Sequence, residues 1–260
     1  MSDFHGRFIW YELITSDMAG ARRFYGDVVG WTAQDMPTPP GAEPYVAFNS
    51  DGSGVAGMMN LGEPMKAEGM FPNWTGYVGV DDVDASVAEA EGLGGKTIRP
   101  PMDIPGVGRF AIVADPAGAV FAMMTPIPPE GGRPEADPNA VGQAGWHELY
   151  GADPDTGFGF YADLFGWTKT EAMPMGEMGT YQLFANAYGQ AGGMMRKPPQ
   201  VPGACWLYYF RVGDIDRAAR TITAGGGQVT NGPMEVPTGE WIAQATDPQG
   251  AAFAVVARKG

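Results

Sequence analysis

The sequence predicts an α+β fold built from tandem βαβββ modules, two in each half of the chain and four in all. Three observations predict it. The chain contains a long internal duplication, strand-like apolar runs alternate with helix-like segments that open on aspartate, and short turns with Gly or Pro separate the strands. Because these elements recur in a constant order, we expect each module to contribute one helix and a mixed set of strands.

The duplication is clearest in two pairs of nine-residue stretches. Residues 24–32 read FYGDVVGWT and residues 160–168 read FYADLFGWT, with six of the nine positions identical. Later in each half, ADPAGAVFA at 114–122 matches TDPQGAAFA at 246–254. Each half is therefore a second sample of one design, and a position kept in both copies is informative.

The stretch PIPPEGGRPEADPNAVGQ separates the two copies and contains few large apolar residues. Such a composition, rich in Pro and Gly, is typical of a linker. We therefore predict a first half at residues 1–127, a linker at 128–143 and a second half at 144–260.

The first module opens with the strand-like run FIWYELIT, followed by the helix-like segment SDMAGARRFYGDVVG. Ser16 or Asp17 is the expected N-cap of this helix, and Gly30 is its expected C-terminal stop. The runs PYVAFNS and SGVAGMM then predict two further strands.

The second module repeats this order. WTGYVGV predicts a strand, DDVDASVAEAEGLGG predicts a helix that ends in glycines, and GRFAIVA and AVFAMMT predict two strands joined by the turn DPAG. In some modules the third strand has only a weak pattern. The order βαβββ is nevertheless expected four times in the chain.

The chain has 260 residues and a formal net charge of −14. This acidity opposes binding to nucleic acid and to anionic membranes, so we predict neither as a partner. No apolar run is long enough to cross a bilayer and the N-terminus has no hydrophobic export segment, so we expect a cytoplasmic location. Cys205, the only cysteine, lies in the apolar run GACWLYYF and is expected to be a packed, unreactive thiol.

The order of motifs in each half resembles the pattern of the vicinal oxygen chelate superfamily. That order is a strand, a helix-opening Asp followed by FY and GW, and later DDVDA and DP-x-G. That group includes glyoxalase I, extradiol dioxygenases, fosfomycin-modifying enzymes and bleomycin-binding resistance proteins. The chain looks like its two-half members, which are related to lactoylglutathione lyase, over nearly its whole length outside the linker. The resemblance implies that paired modules curl their sheets into a cup around a small-molecule cavity, with the helices outside.

The resemblance also implies where a metal would bind, namely to a His, Gln or Glu on the first strand of each module and to a Glu on the last strand. Those positions hold no competent ligand for a hard metal. They are Trp10, Trp146, Thr75, Leu207, Ala122 and Ala254. We therefore predict no metal and no cofactor, and a glyoxalase I mechanism, in which a metal polarises an enediolate, is not expected.

The chain has two histidines. His5 lies near the N-terminus, and His147 lies one residue out of phase with the cavity face of its strand. We interpret His147 as a structural residue facing the helix side of its sheet.

Strand alternation places Trp10 and Glu12 on one face, and Trp146 and Glu148 on the matching face of the other half. Burial beside tryptophan would raise the pKa of either carboxyl group towards neutrality, where a carboxylate can move protons. Glu12 and Glu148 are therefore the predicted catalytic residues. The alternative, that each carboxylate caps backbone N–H groups or pairs with an arginine, stays equally open.

Aromatic side chains on the predicted cavity faces would form flat apolar walls with polar edges, which suit a planar or aromatic ligand. Core packing is the alternative for each of them taken singly. The predicted substrate-binding residues, with one arginine on the same parity, are Trp10, Trp146, Tyr45, Tyr181, Tyr77, Tyr209 and Arg211.

Three functions remain open from the sequence. The first is a metal-free protein that binds a small apolar or aromatic metabolite, either as a binding protein or as a proton-transfer enzyme. The second is a metal-dependent lyase or isomerase in which Glu12, Glu148 and His147 form an unorthodox site. The third is a structural or interaction protein whose cavities are plugged by its own side chains. The predicted partner is a small-molecule ligand, and the chain is expected to be a monomeric pseudo-dimer or a homodimer.

Overall fold

The computed structural model describes residues 2–38, 41–128 and 137–258, and within them every predicted module is present. The first module comprises β1 (Phe8–Thr15), α1 (Met18–Val29), β2 (Thr32–Met36), β3 (Tyr45–Ser50) and β4 (Ser53–Asn60), followed by the short helix α2 (Glu63–Ala67). The second comprises β5 (Asn73–Gly79), α3 (Val83–Gly92), β6 (Lys96–Ile104), β7 (Gly108–Ala114) and β8 (Val120–Pro126).

The second half repeats the pattern with similar bounds. Its first module comprises β9 (Ala144–Gly151), α4 (Pro154–Phe165), β10 (Thr168–Pro174), β11 (Thr180–Asn186) and β12 (Gly189–Arg196), with a 3₁₀ turn at Gly176–Met178. Its second comprises β13 (Cys205–Arg211), α5 (Ile215–Ala224), β14 (Gln228–Glu235), β15 (Glu240–Thr246) and β16 (Ala252–Arg258). The α+β class and the βαβββ order are confirmed.

Each module's main helix begins at an aspartate whose side chain accepts a backbone N–H from the first turn, which otherwise has no partner. These N-caps are Asp17, Asp82, Asp153 and Asp214. The choice between Ser16 and Asp17 is thus settled in favour of Asp17. Gly30 ends α1 in the left-handed conformation, with φ of 88°, as its position predicted.

The strands form two eight-stranded mixed sheets, in the orders β2-β3-β4-β1-β5-β8-β7-β6 and β10-β11-β12-β9-β13-β16-β15-β14. In each module the first strand pairs in parallel with the last, and the remaining pairs are antiparallel. The parallel register places Glu12 opposite Gly57 on β4, and Glu148 opposite Gly193 on β12. The two halves therefore place Glu12 and Glu148 in the same register against a glycine.

The chain divides into two compact units that each combine modules from both halves. Unit 1 comprises Met1–Ile9, Thr75–Arg133 and His147–Leu207, and unit 2 comprises Trp10–Trp74, Pro134–Trp146 and Tyr208–Gly260. The division into halves at 1–127 and 144–260, with a linker between them, stays a prediction about the sequence repeat; residues 129–136 of that linker lie outside the described residues.

The core of unit 2 is organised around Tyr25 of α1, which is fully buried. Its hydroxyl donates to Oδ2 of Asp247 at 3.0 Å and accepts the indole N–H of Trp74 at 2.8 Å. Trp31 is buried against this ring. Burial of these aromatic side chains together, with their polar atoms paired, stabilises the unit.

The core of unit 1 has the corresponding arrangement. Tyr161 of α4 donates its hydroxyl to Oδ2 of Asp115 at 2.9 Å and stacks on Trp167 with 5.5 Å between ring centroids. Trp167 is 2% exposed and belongs to this core. None of the helices in the described ranges is both long and apolar enough to span a lipid bilayer.

Candidate functional site

Three predicted site residues of the first module meet on one face of its sheet. Trp10 and Glu12 lie on alternate positions of β1, and Tyr45 begins β3. Tyr11, between them, points the other way and packs edge-on against Tyr208 with 5.3 Å between ring centroids. The strand alternation therefore separates the site face from the packing face.

A directed chain of hydrogen bonds ends on the carboxyl group of Glu12. The indole N–H of Trp10 donates to the hydroxyl oxygen of Tyr45 at 3.1 Å, and the Tyr45 hydroxyl donates to Oε2 of Glu12 at 3.0 Å. Glu12 is 6% exposed, and its other oxygen, Oε1, is buried without a hydrogen-bond partner in the part of the chain that the structure describes.

The electrostatics of this carboxyl group follow from its surroundings. Burial raises the pKa of Glu12 from 4.5 to about 8, and the hydrogen bonds from Tyr45 and Trp10 offset only part of that rise. A buried carboxylate loses more hydration than these hydrogen bonds restore, so the neutral acid is favoured. Glu12 therefore changes its charge close to neutral pH, as a general acid or base must.

Gly57 completes the site, and the sequence reasoning missed it. A Cβ atom at this position would overlap the hydroxyl of Tyr45 and would lie 2.9 Å from Oε1 of Glu12. Only glycine leaves the space in which Tyr45 reaches Glu12. The available signal was the glycine of GMM, which recurs at positions 57 and 193.

The second half places the corresponding residues in the corresponding way. Glu148 is 6% exposed on β9, and Tyr181 of β11 covers Gly193, where an added Cβ would overlap its ring. Cys205 lies close enough to Glu148 for the carboxylate to add to the effect of burial, and together they raise the pKa of the thiol to about 11. Such a thiol is protonated and unreactive at neutral pH, as expected for a packed cysteine.

The remaining predicted binding residues have partners of their own. Trp146 is half-buried two positions before Glu148, and Tyr77 is 8% exposed with its ring 6.0 Å from that of Phe110. Tyr209 is buried, and its hydroxyl accepts the side-chain amide of Gln244 at 2.7 Å.

Arg211 forms an ion pair with Glu240, at 2.6 Å between Nη1 and Oε1. Its Nε also donates to the main-chain oxygen of Pro138 at 3.0 Å. Both side chains of the ion pair are mostly buried, so the guanidinium group is held in place by unit 2. A role for Arg211 in contacting a ligand stays a prediction.

His147 is packed and hydrogen-bonded in the described fold, and its interpretation as a structural residue stays a prediction. Its ring stacks on Phe8 with 4.0 Å between centroids, and its Nδ1–H donates to the main-chain oxygen of Ala191 at 2.6 Å. Desolvation lowers the pKa of His147 to about 4, so the imidazole is neutral over most of the physiological range.

The residues at the metal positions of the resemblance do not fit a metal. Trp10 uses its indole N–H for Tyr45, and Ala122 lies opposite Tyr77 on neighbouring strands without any donor atom. Across residues 2–38, 41–128 and 137–258, the structure brings together no group of three His, Cys, Asp or Glu side chains suited to a metal ion. The donor set around Glu12 is instead an indole, a phenol and one carboxyl group.

Comparison with known proteins identifies the pattern on both halves. The sequence model of the Glyoxalase/Bleomycin resistance protein/Dioxygenase superfamily matches residues 7–123 and 143–255. The chain is 34% identical over 248 residues to "Putative glyoxylase CFP32" of Mycobacterium tuberculosis, spanning 95% of this chain and 93% of that protein. It is 33% identical over 259 residues to "Anthracycline biosynthesis protein DauV" of Streptomyces sp. strain C5, spanning 95% and 91%.

Solved structures share the fold at low sequence identity. A Mn(II)-bound glyoxalase from Novosphingobium aromaticivorans superimposes with a TM-score of 0.64 and 16% identity, covering 96% of this chain and 81% of that one. The H200Q variant of homoprotocatechuate 2,3-dioxygenase from B. fuscum gives a TM-score of 0.66 and 16% identity, covering 98% and 72%.

Proposed function

This chain belongs to the Glyoxalase/Bleomycin resistance protein/Dioxygenase superfamily, and we propose that it binds a small, planar, largely apolar metabolite without the metal that other members use. Trp10 and Tyr45 would hold the ligand, and Glu12 would exchange a proton with it. The observation that carries this proposal is the buried carboxyl group whose Oε1 has no partner among the described residues. Keeping such an atom unpaired is costly unless a ligand uses it.

The side chains around Glu12 support a planar ligand. Indole and phenol rings offer flat apolar surfaces with polar edges, and both edges here are already engaged in the chain that ends on Glu12. Their ring faces would therefore contact a ligand, while Oε1 would supply the polar contact. A carboxyl group with a pKa of about 8 can either give or take that proton near neutral pH.

The similarity to a protein named for anthracycline biosynthesis supports an aromatic ligand class. Anthracyclines contain a hydroxyanthraquinone, which is planar and carries both carbonyl and phenol oxygens. We therefore choose 1,4-dihydroxyanthraquinone as the probe, because its visible absorption reports both binding and loss of its phenolic proton.

The test is a titration of the full-length protein with this probe, followed by absorbance. We expect saturable binding that Tyr45→Phe weakens about three- to tenfold, because the substitution removes one hydrogen bond from the site. Tyr188→Phe is the matched control, since Tyr188 is half exposed and its hydroxyl only contacts the main chain of Asp3. Equal affinities for the wild type and both variants would count against the proposal.

A metal-dependent lyase or isomerase is the second candidate, favoured by the relative that is named a glyoxylase. It requires near-stoichiometric metal, either after purification without chelator or after incubation with Ni, Zn, Mn or Fe and desalting. Elemental analysis therefore separates the two candidates. A plugged, purely structural protein would instead show neither metal nor saturable binding of the probe.

The proposed partners follow the same reasoning. With a net charge of −14, we propose a small molecule rather than nucleic acid or a membrane as the partner, and the cytoplasm as the location. Because the two halves of the chain are copies of one two-module design, a monomeric pseudo-dimer or a homodimer is expected. Light scattering on the purified chain distinguishes these two states.

A further inference from the structure

The hydrogen bonds at Glu12 run in one direction, from Trp10 through Tyr45 to Oε2 of Glu12, and they leave Oε1 without a donor. The proton of Trp10 points at Tyr45, and the proton of Tyr45 points at Oε2 of Glu12. Oε1 is buried and has no hydrogen-bond partner among the described residues. Whatever satisfies Oε1 must therefore come from outside this chain of hydrogen bonds.

The charge around Glu12 decides which form of the carboxyl group is present. The titratable side chain that touches it is Tyr45 on β3; β4 carries none, and on β1 Tyr11 faces the opposite side. On β5, next to β1 in the sheet order, Tyr77 is the titratable residue. Among the described residues, the groups that act on Glu12 include no cation, so only the two hydrogen bonds offset a buried negative charge there.

A neutral carboxyl group carries one proton, on one of its two oxygens. Since Oε2 already accepts the hydroxyl proton of Tyr45, the carboxyl proton on Oε1 becomes a hydrogen-bond donor with no acceptor in the protein. On β4, Gly57 lies opposite Glu12 in the register, and a Cβ atom there would lie 2.9 Å from Oε1 and overlap the hydroxyl of Tyr45, so this position contributes no side-chain acceptor to Oε1.

We propose that the Glu12 site selects ligands with a carbonyl oxygen, to which Oε1–H of the neutral acid donates a hydrogen bond. This inference rests on the proposed function and names its ligand class: planar ketones and quinones rather than phenols or hydrocarbons. Ligand capture is then linked to the proton on Glu12 and weakens when that proton leaves.

The first experiment needs no ligand. Infrared difference spectra of wild type minus Glu12→Gln, recorded at about pH 6 and about pH 9.5, report the carboxylic-acid C=O stretch of Glu12. We expect the acid band at the lower pH and its replacement by carboxylate bands at the higher pH. Absence of the acid band at about pH 6 would overturn the inference, whatever binds.

The second experiment compares three matched probes by equilibrium titration: 9-fluorenone has a carbonyl acceptor, 2-hydroxyfluorene has a phenol donor, and fluorene has neither. At about pH 6 we expect the wild type to bind 9-fluorenone about five- to tenfold more tightly than fluorene, and to lose this preference by about pH 9.5. Glu12→Leu should lack the preference at both pH values. Glu12→Gln, whose amide N–H replaces the O–H, should keep it at the higher pH, where the wild type has lost it.

The outcomes separate the inference from the proposed function. Preference for 2-hydroxyfluorene, or a 9-fluorenone preference that does not change with pH in the wild type, would overturn the inference while leaving a ligand-binding site. Failure of all three probes and of the anthraquinone to bind would overturn the proposed function, and the ligand class with it.

Discussion

Residue 57 is a glycine, and the absence of a side chain there allows Tyr45 to reach Glu12. Gly57 lies opposite Glu12 in a parallel strand pair, and the space above it is filled by the hydroxyl of Tyr45. Glycine usually costs a strand stability because it has nothing to pack. Here the loss is offset by a hydrogen bond that a larger residue would prevent, and the same arrangement of Tyr181 over Gly193 recurs in the second half.

We predict that Gly57→Ala breaks the contact between Tyr45 and Glu12 and lowers the free energy of unfolding by about 1–3 kcal/mol, because the added methyl group overpacks a closed site. Gly159→Ala is the matched control, since a Cβ there meets nothing within 4 Å and the residue lies inside helix α4. The control should be neutral or stabilising by about 0.5–1 kcal/mol. Denaturant unfolding measures both, and equal effects would contradict the steric argument.

The raised pKa of Glu12 predicts a pH dependence of stability. A carboxyl group whose folded pKa is about 8, against 4.5 unfolded, stabilises the fold while protonated and loses that contribution as pH rises towards 8. His147, with a folded pKa of about 4 against 6.5, acts oppositely but only below about pH 6.5. Between about pH 6.5 and 8 the wild type should therefore lose about 2 kcal/mol.

Glu12→Gln removes the titrating group, so its free energy of unfolding should stay nearly constant over that same interval. Parallel urea titrations at several pH values measure the difference. A wild-type curve as flat as that of the variant would show that Glu12 is ionised in the folded protein well below pH 8.

At the scale of elements, each compact unit contains a tyrosine that ties a helix to a turn. In unit 2, the hydroxyl of Tyr25 on α1 reaches Asp247, whose other carboxyl oxygen accepts the main-chain N–H groups of Gln249 and Ala251 in the turn before β16. In unit 1, Tyr161 on α4 reaches Asp115 in the same way. These side chains are buried, so leaving any of their polar atoms unpaired is costly.

Tyr25→Phe is predicted to destabilise the protein by about 2–4 kcal/mol, because it leaves both Asp247 and the indole N–H of Trp74 without this partner. A double-mutant cycle with Trp74→Phe should show a coupling free energy of about 1 kcal/mol. Tyr188→Phe, at a half-exposed site, should change stability by less than about 0.5 kcal/mol. Thermal unfolding of the wild type and the four variants tests this, and zero coupling between Tyr25 and Trp74 would contradict it.

At the scale of the whole molecule, the sequence predicts the modules well but not how they combine. Period-2 runs, aspartate caps and Gly30 are local signals, and the structure has the strands and helices they indicate. The meeting of Glu12, Tyr45 and Gly57 depends on the register between strands, which no local signal encodes. The composition of the compact units could not be predicted from the sequence either. In a duplicated sequence, a module can pack equally well with its neighbour in the chain or with the similar module of the other half.

The composition of the units predicts what happens when the halves are separated. Since unit 2 takes Tyr25 from the first half and Asp247 and Phe253 from the second, residues 1–127 alone would leave this aromatic core open and its polar atoms unpaired. Residues 144–260 alone would leave unit 1 without Asp115 and Phe121. We expect neither half to give the near-ultraviolet circular dichroism of the intact chain as a monomer, and a mixture of the two halves to restore it at a 1:1 ratio. A single half that unfolds cooperatively as a monomer, with a native-like aromatic spectrum, would show that a module pair from one half is sufficient to form a core.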